Sequence, residues 1–141
     1  MTSSTELQAV GSRGIYRPVA QVSLEQGFAL IESALARARE LGLTDVVINT
    51  LGLSGFRSPG VFDRYEFALR MVAGSGGALL VALVVRADVI DFQKIGMLMA
   101  RNRGVIAEIF ATEREALCWL DSLPIAMGRL RRLWHDDRPA I

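Results

Sequence analysis

The eight residues Ala78-Leu-Leu-Val-Ala-Leu-Val-Val85 are all apolar, and the run ends at the charged Arg86. A short, unbroken apolar run is typical of a strand that is buried on both faces of a parallel sheet. It is far too short to cross a bilayer as a helix. Val46-Val-Ile48 is a second, β-branched run of the same character. The two runs therefore predict buried strands in a sheet that is covered on both sides.

Helical periodicity fills most of the remaining chain. Ser23 and Gln26 have the spacing of a capping box, and Gly42 supplies the C-terminal stop of the helix that follows them. Thr112-Glu-Arg-Glu115 is a second capping box. Four helices are predicted. The first covers residues 24–41, the second runs from Pro59 to Val72, the third runs from Asp91 to Gly104, and the fourth follows Thr112.

Two further strands complete the pattern. Tyr16 to Val22 predicts a strand that is short or lies at a sheet edge, because Pro18 lacks a backbone donor. Val105 to Phe110 predicts another. Strand and helix alternate four times, which predicts an α/β fold with a mostly parallel four- to five-stranded sheet, about four helices and right-handed crossovers. Residues 1–14 are predicted to be a flexible tail, 15–122 the domain, and 123–141 a basic amphipathic C-terminal segment with a short helix.

Composition excludes several classes of function. Sixteen basic and 15 acidic residues give a formal charge of +1, so the chain lacks the positive field that attracts nucleic acid. A single cysteine, Cys118, rules out an internal disulfide and a multi-cysteine zinc site. The first 14 residues lack the basic start and apolar core of a secretory signal. We therefore expect a cytoplasmic protein with no integral membrane segment.

Catalytic residues are not apparent. The one histidine, His135, lies in the terminal segment without an orienting partner. Cys118 has apolar neighbours, which is typical of a small buried hydrophobe. Glu113 and Glu115 are explained by the helix dipole and the capping box. We predict no enzymatic activity, no metal and no cofactor.

Five motifs carry a resemblance to a known family. They are Val46–Gly55, Arg64-Tyr65, Val81–Val84, Ala100–Gly104 and Phe110–Leu120. Together they resemble the STAS superfamily, named for sulfate transporters and anti-sigma factor antagonists, and are closest to its small bacterial SpoIIAA-like branch. The resemblance spans residues 15–122 and implies a four- to five-stranded sheet with helices, a fold also compared with lipid-carrying CRAL-TRIO domains.

The same resemblance points to a candidate site. In the anti-sigma factor antagonists, a serine just before the second helix is phosphorylated by a partner kinase, and the matching stretch here is Arg57-Ser58-Pro59-Gly60. A helix N-terminus suits a phosphate or another anion. Ser58, with Arg57 and Gly60, is therefore either an anion-binding or phosphoacceptor site or, in the structural interpretation, a plain N-cap. The loop 52–60 is likewise either a ligand crevice or a turn that needs positive φ at Gly52 or Gly55.

Two basic patches are candidates for partner binding. One pair of arginines falls in the last turn of a predicted helix, where the helix dipole also explains it. The C-terminal helix is basic and amphipathic, and it would lie on an anionic membrane, bind an acidic partner, or pack on its own domain or a second subunit. Packing is the favoured interpretation, so a homodimer is among the expectations. The residues are Arg101, Arg103, Arg129, Arg131, Arg132 and Trp134.

The sequence leads to two functional hypotheses. The first is a non-catalytic regulatory or protein-binding module that uses the loop 52–60 and the adjoining helix for recognition. The second is a carrier or sensor of a small apolar molecule such as a lipid, suggested by the apolar content and by Met71, Met97 and Met99. A cavity larger than roughly 300 Å3 lined by these methionines would favour the carrier.

Overall fold

A computed structural model describes residues 6–56, 60–75, 79–87 and 106–122. The strands of this part of the chain are β1 (Gln8–Val10), β2 (Arg13–Tyr16), β3 (Ala20–Gln21), β4 (Asp45–Asn49), β5 (Leu53–Ser54), β6 (Leu80–Val84) and β7 (Ile106–Phe110). The helices are α1 (Leu24–Glu40), α2 (Val61–Ser75) and α3 (Glu113–Ser122), with a 3-10 turn at Thr50–Gly52. No helix in these ranges is long and apolar enough to cross a membrane.

Five strands form one mixed sheet in the order β1-β2-β4-β6-β7. The last four of these are parallel to one another, and β1 pairs antiparallel with β2. The predicted α/β class and the mostly parallel sheet are therefore confirmed. A separate parallel pair, β3 with β5, lies outside this sheet.

The two faces of the sheet are covered by different helices. Val46, Ile48 and Leu83 point into a core cluster shared with α1 and α2, whereas Val47 and Ala82 point into a smaller cluster beneath α3. All five residues of β6 are buried. The uniformly apolar run predicted this arrangement, because a polar side chain on either face would lose its hydration.

The seam between α1 and α2 joins aromatic and ionic contacts. The Phe28 and Phe67 ring centroids are 5.1 Å apart. The Arg70 guanidinium lies 5.8 Å from the centre of the Phe28 ring and forms ion pairs with Glu25 and Glu32, both at 2.9 Å. The capping box predicted at the start of α1 is present, with Ser23 and Gln26 bonding each other's backbone N–H.

The tail predicted over residues 1–14 differs from the structure from residue 8 onward. β1 and β2 form a hairpin, and Gly11 takes the positive φ of 62° that its turn requires. Gly14 packs closely against the core, because a Cβ atom at this position would lie only 3.0 Å from the Leu43 side chain. Short-range periodicity does not reveal these strands, because β1 forms by pairing with β2, and no local spacing encodes that pairing.

The strand predicted over Tyr16 to Val22 is also corrected. Pro18 divides it: β2 ends at Tyr16, and β3 joins the second sheet. Pro18 itself is fully buried, and β2 lies between two neighbours and not at an edge. Proline acts here as a break between strands because it cannot donate to a ladder.

The start of the second helix also differs from the prediction, since α2 begins at Val61, two residues after Pro59. The helix predicted from Asp91 to Gly104 and the short helix predicted within 123–141 lie outside the described residues.

The loop after β4 needs glycine at two positions. Gly55 has φ 94°, as the turn interpretation expected. Gly52 is needed for a different reason: a Cβ there would lie 2.6 Å from the Pro18 carbonyl oxygen. The loop is thus fixed against the segment that connects β2 to β3.

We expect Gly52→Ala to lower the free energy of unfolding by about 1–3 kcal/mol, because the new methyl group meets backbone that cannot move aside. Gly27→Ala is the matched control, since its nearest neighbour would be Val22 at 3.8 Å and helix α1 favours alanine over glycine. Urea unfolding measures both. Equal stabilities for the two variants would contradict the close approach at Gly52.

Candidate functional site

The parallel strands end together at one edge of the sheet. Tyr16, Asn49, Val84 and Phe110 are the last residues of β2, β4, β6 and β7. The segments that follow them converge there, and this is the edge at which open α/β sheets bind ligands. We call it the carboxyl edge. It carries an apolar pocket on the side of α1 and α2, and a polar cluster on the side of α3.

The apolar pocket is small. Its cavity volume is about 70 Å3. It is lined by Leu24, Gly27, Phe28, Ile31, Thr50, Leu53, Phe56, Phe67, Leu83, Val85 and Arg86. Thr50 has its hydroxyl engaged, donating to the Val84 carbonyl at 2.7 Å. The pocket therefore has room for a side chain or two waters, well below the roughly 300 Å3 at which ligand pockets begin.

Exposed apolar side chains lie on the 3-10 turn after β4 and on helix α2. Phe62, in the first turn of α2, is 89% exposed, and Leu51 is 47% exposed. Leu69, which is seven residues after Phe62 and so lies on the same stripe of α2, is 39% exposed. Val19, which packs beside Gly52, is 61% exposed. We call Leu51, Phe62 and Leu69 the apolar patch.

Arg17, Asn49 and Glu113 form the polar cluster. Arg17 donates to both Glu113 carboxylate oxygens, from Nε at 2.9 Å and from Nη2 at 2.6 Å. Asn49 Nδ2 donates to Glu113 Oε2 at 2.9 Å, and Asn49 Oδ1 accepts from the Leu51 N–H at 2.9 Å. The cluster therefore ties α3 to the segment after β2 and to the turn after β4.

The charges in this cluster stabilise one another. The hydrogen bond from Arg17 holds the pKa of Glu113 below its ordinary value, against the opposing effect of burial, and the Asn49 bond lowers it further. The same hydrogen bond raises the pKa of Arg17. Glu113 is thus a paired, ionised carboxylate at neutral pH, which is unsuited to proton transfer.

Cys118 differs from expectation, because it is exposed on α3. Ala116 and Leu120 supply the buried side of that helix, and Cys118 falls outside their stripe. Within the described ranges, no group of three histidine, cysteine, aspartate or glutamate side chains could hold a metal ion.

Most of the predicted site residues lie outside the described residues. They are Arg57, Ser58, Arg101, Arg103, Arg129, Arg131, Arg132 and Trp134. Gly60 is described, and its N–H donates to Asp63 Oδ2 at 2.8 Å. A carboxylate therefore already occupies this amide at the start of α2.

Sequence reasoning missed the polar cluster. Glu113 had a sufficient local explanation in the helix dipole, while its partners Arg17 and Asn49 are 96 and 64 residues away along the chain. The available signal was topological for Asn49 and Glu113, since both follow a predicted strand, whereas Arg17 lies inside the strand predicted over Tyr16 to Val22. Parallel strands bring such residues to one edge.

Comparison with known proteins finds similarity at the level of solved structures. No family model matches the chain, and no curated protein matches it. A solved structure of the anti-sigma factor antagonist SpoIIAA in its unphosphorylated form has 20% sequence identity and a TM-score of 0.42, over 84% of this chain and 98% of that one. At this TM-score the match carries no argument about function.

The Arg17–Glu113 pair predicts a specific pH dependence. Because the folded-state pKa of Glu113 is lowered, its contribution to stability is complete above the ordinary glutamate pKa of about 4.3 and is lost as pH falls through the folded-state value. We therefore expect Glu113→Gln to lower the free energy of unfolding by about 1 kcal/mol at pH 7, and we expect this difference from the wild type to disappear in acid.

Urea unfolding at several pH values between 7 and 3 measures this difference. Glu115→Gln is the control, since Glu115 lies in the same turn and accepts a hydrogen bond from the Thr112 hydroxyl, which glutamine can also accept. Parallel pH profiles for the wild type and Glu113→Gln would show that the pair contributes nothing.

Proposed function

We propose that this protein is a non-catalytic regulatory module that binds a protein partner through the loop 52–60 and the outer side of α2. The observation that carries the proposal is the exposure of Phe62. The Phe62 side chain is 89% exposed, so burying it beneath another molecule would remove apolar surface from water and lower the free energy. Aromatic residues of this kind are enriched among the side chains that dominate protein interfaces.

The surroundings of Phe62 support a protein partner. Leu51 and Leu69 extend the apolar patch, and the small pocket that Phe56 helps to line lies on the same side of the sheet. A cavity of about 70 Å3 suits one inserted side chain. An apolar patch with a shallow adjoining pocket is the arrangement in which an interface places an anchor residue.

The charge beside the patch favours a basic partner. Arg70 pairs with Glu25, Glu32 and Glu66, so one cation faces three carboxylates and the group has two negative charges in excess. Glu25 and Glu66 have side chains that are 68% and 56% exposed. A partner surface with an apolar anchor and flanking lysines or arginines would complement both features.

The carrier hypothesis gains no support from the described residues. Met71 is packed in the core with 1% exposure, and Met97 and Met99 lie outside the described residues. The apolar pocket is too small for a lipid chain. We therefore do not advance the carrier as a second function.

The patch predicts that Phe62→Ser weakens partner binding at least tenfold while leaving the fold intact, because the side chain makes its contacts with the partner. A photo-crosslinking residue at position 62, expressed in the native host, first identifies the partner. Isothermal titration with the identified partner then compares wild type, Phe62→Ser and the control Leu41→Ser, whose side chain is 45% exposed just after α1. Equal affinities for the two variants would exclude the patch.

Ser58 is a separate part of this proposal. Phosphorylation at Ser58 would add about two negative charges four residues before Phe62 in the sequence, and this charge would regulate partner binding. We expect phosphate on Ser58 in protein purified from its own host, read by intact mass and peptide mapping. Protein that carries no phosphate there under any growth condition, with Ser58→Ala binding the partner as the wild type does, would remove this role.

A further inference from the structure

One side of the sheet is incompletely covered. On the α3 face, the helix contacts β4, β6 and β7. The same face of the outer strands carries Val10 from β1, with Arg13 and Ile15 from β2, as the registers Val10↔Arg13 and Arg13↔Asp45 require. Val10 is 61% exposed. No helix within the described ranges lies over these two strands.

A groove of about 460 Å3 follows this uncovered area. Its walls are the β1–β2 hairpin on one side and α3 on the other, the latter represented by Leu117 and Asp121. Helices pack about 8–10 Å apart, whereas neighbouring strands are about 4.8 Å apart, so a helix beside α3 would lie two strands further along the sheet. That position is above β1 and β2.

We propose that residues 123–141 of the same chain occupy this groove and complete the α3 face of the sheet. The chain leaves α3 at Ser122, one residue after Asp121, which itself lines the groove. Leu123 and Pro124 are enough for a reversal, because helix–helix connections are commonly two to about eight residues. The segment 123–141 has 19 residues, including the two in the reversal.

The segment matches the groove in length and polarity. Residues 125–134 as a helix would be about 15 Å long, close to the roughly 13 Å of a four-residue strand such as β2. The helical arc that would face the sheet is apolar, and its members are Ala126, Met127, Leu130, Leu133 and Trp134. Val10, Ile15 and Leu117 supply apolar side chains on the groove side.

Charge favours the same occupant. In the groove, Arg13 bridges Asp45 at 2.9 Å and Asp121 at 2.8 Å, which leaves one negative charge in excess. The Asp121 side chain is 68% exposed. The segment 123–141 has four arginines and two aspartates, an excess of two positive charges.

The single cysteine allows a direct test on the full chain. A nitroxide spin label on Cys118, which is exposed on α3, should broaden the NMR signals of residues 126–134 within the same molecule. Val10→Lys should restore these signals, because it replaces an apolar contact with a cation facing a basic segment. Val19→Lys is the matched control, since Val19 has the same 61% exposure and lies elsewhere.

Three results would overturn the proposal. The first is no broadening of residues 126–134 in the labelled wild type. The second is an equal response to Val10→Lys and Val19→Lys. The third is broadening that appears only when spin-labelled, isotopically unlabelled chains are mixed with isotope-labelled ones, which would assign the groove to a second copy. Circular dichroism of both variants verifies that the fold is intact, and none of these readouts depends on the partner proposed above.

Discussion

The parallel pairing of β4 with β6 is the constraint on which the rest of the structure depends. Its register runs from Asp45↔Leu80 to Asn49↔Val84, and β6 is buried along its whole length. Backbone groups at this depth are satisfied only by neighbouring strands, and side chains on both faces need apolar cover. The sheet consequently requires α1 and α2 on one face and α3 on the other, and it requires β2 and β7 on its flanks.

The predictable part of this fold is the part in which local pattern and tertiary role agree. In these cases the local sequence pattern alone predicts the observed structure. They are the runs at 46–48 and 78–85, the capping box at Ser23, and the apolar spacing of α1 and α3. The β1–β2 hairpin and the pairing of β3 with β5 depend on partner strands that no local pattern identifies. The polar cluster is of the same kind, because Glu113 satisfies a local rule while its main partner is 96 residues away.

The carboxyl edge separates two kinds of surface by the face of the sheet on which each lies. On the α3 side, polar groups are mutually paired, and Arg17, Asn49 and Glu113 leave their charges largely compensated. On the α1 and α2 side, apolar side chains remain in water beside an acidic seam. The first arrangement links three segments of the chain by hydrogen bonds, and the second leaves the apolar surface through which we propose that a partner binds. Asn49 joins them, since its side chain bonds both Glu113 and the turn that presents Leu51.

The ion pairs Arg13–Asp121 and Arg17–Glu113 also bear on the order in which the chain folds. They span 108 and 96 residues, so each closes a loop that includes nearly the whole sheet. Closing a loop costs conformational entropy that grows with its length, and contacts this remote gain nothing until the strands between them have assembled. These pairs therefore belong to the last stage of folding. We expect a change in their strength to alter the rate of unfolding more than the rate of folding.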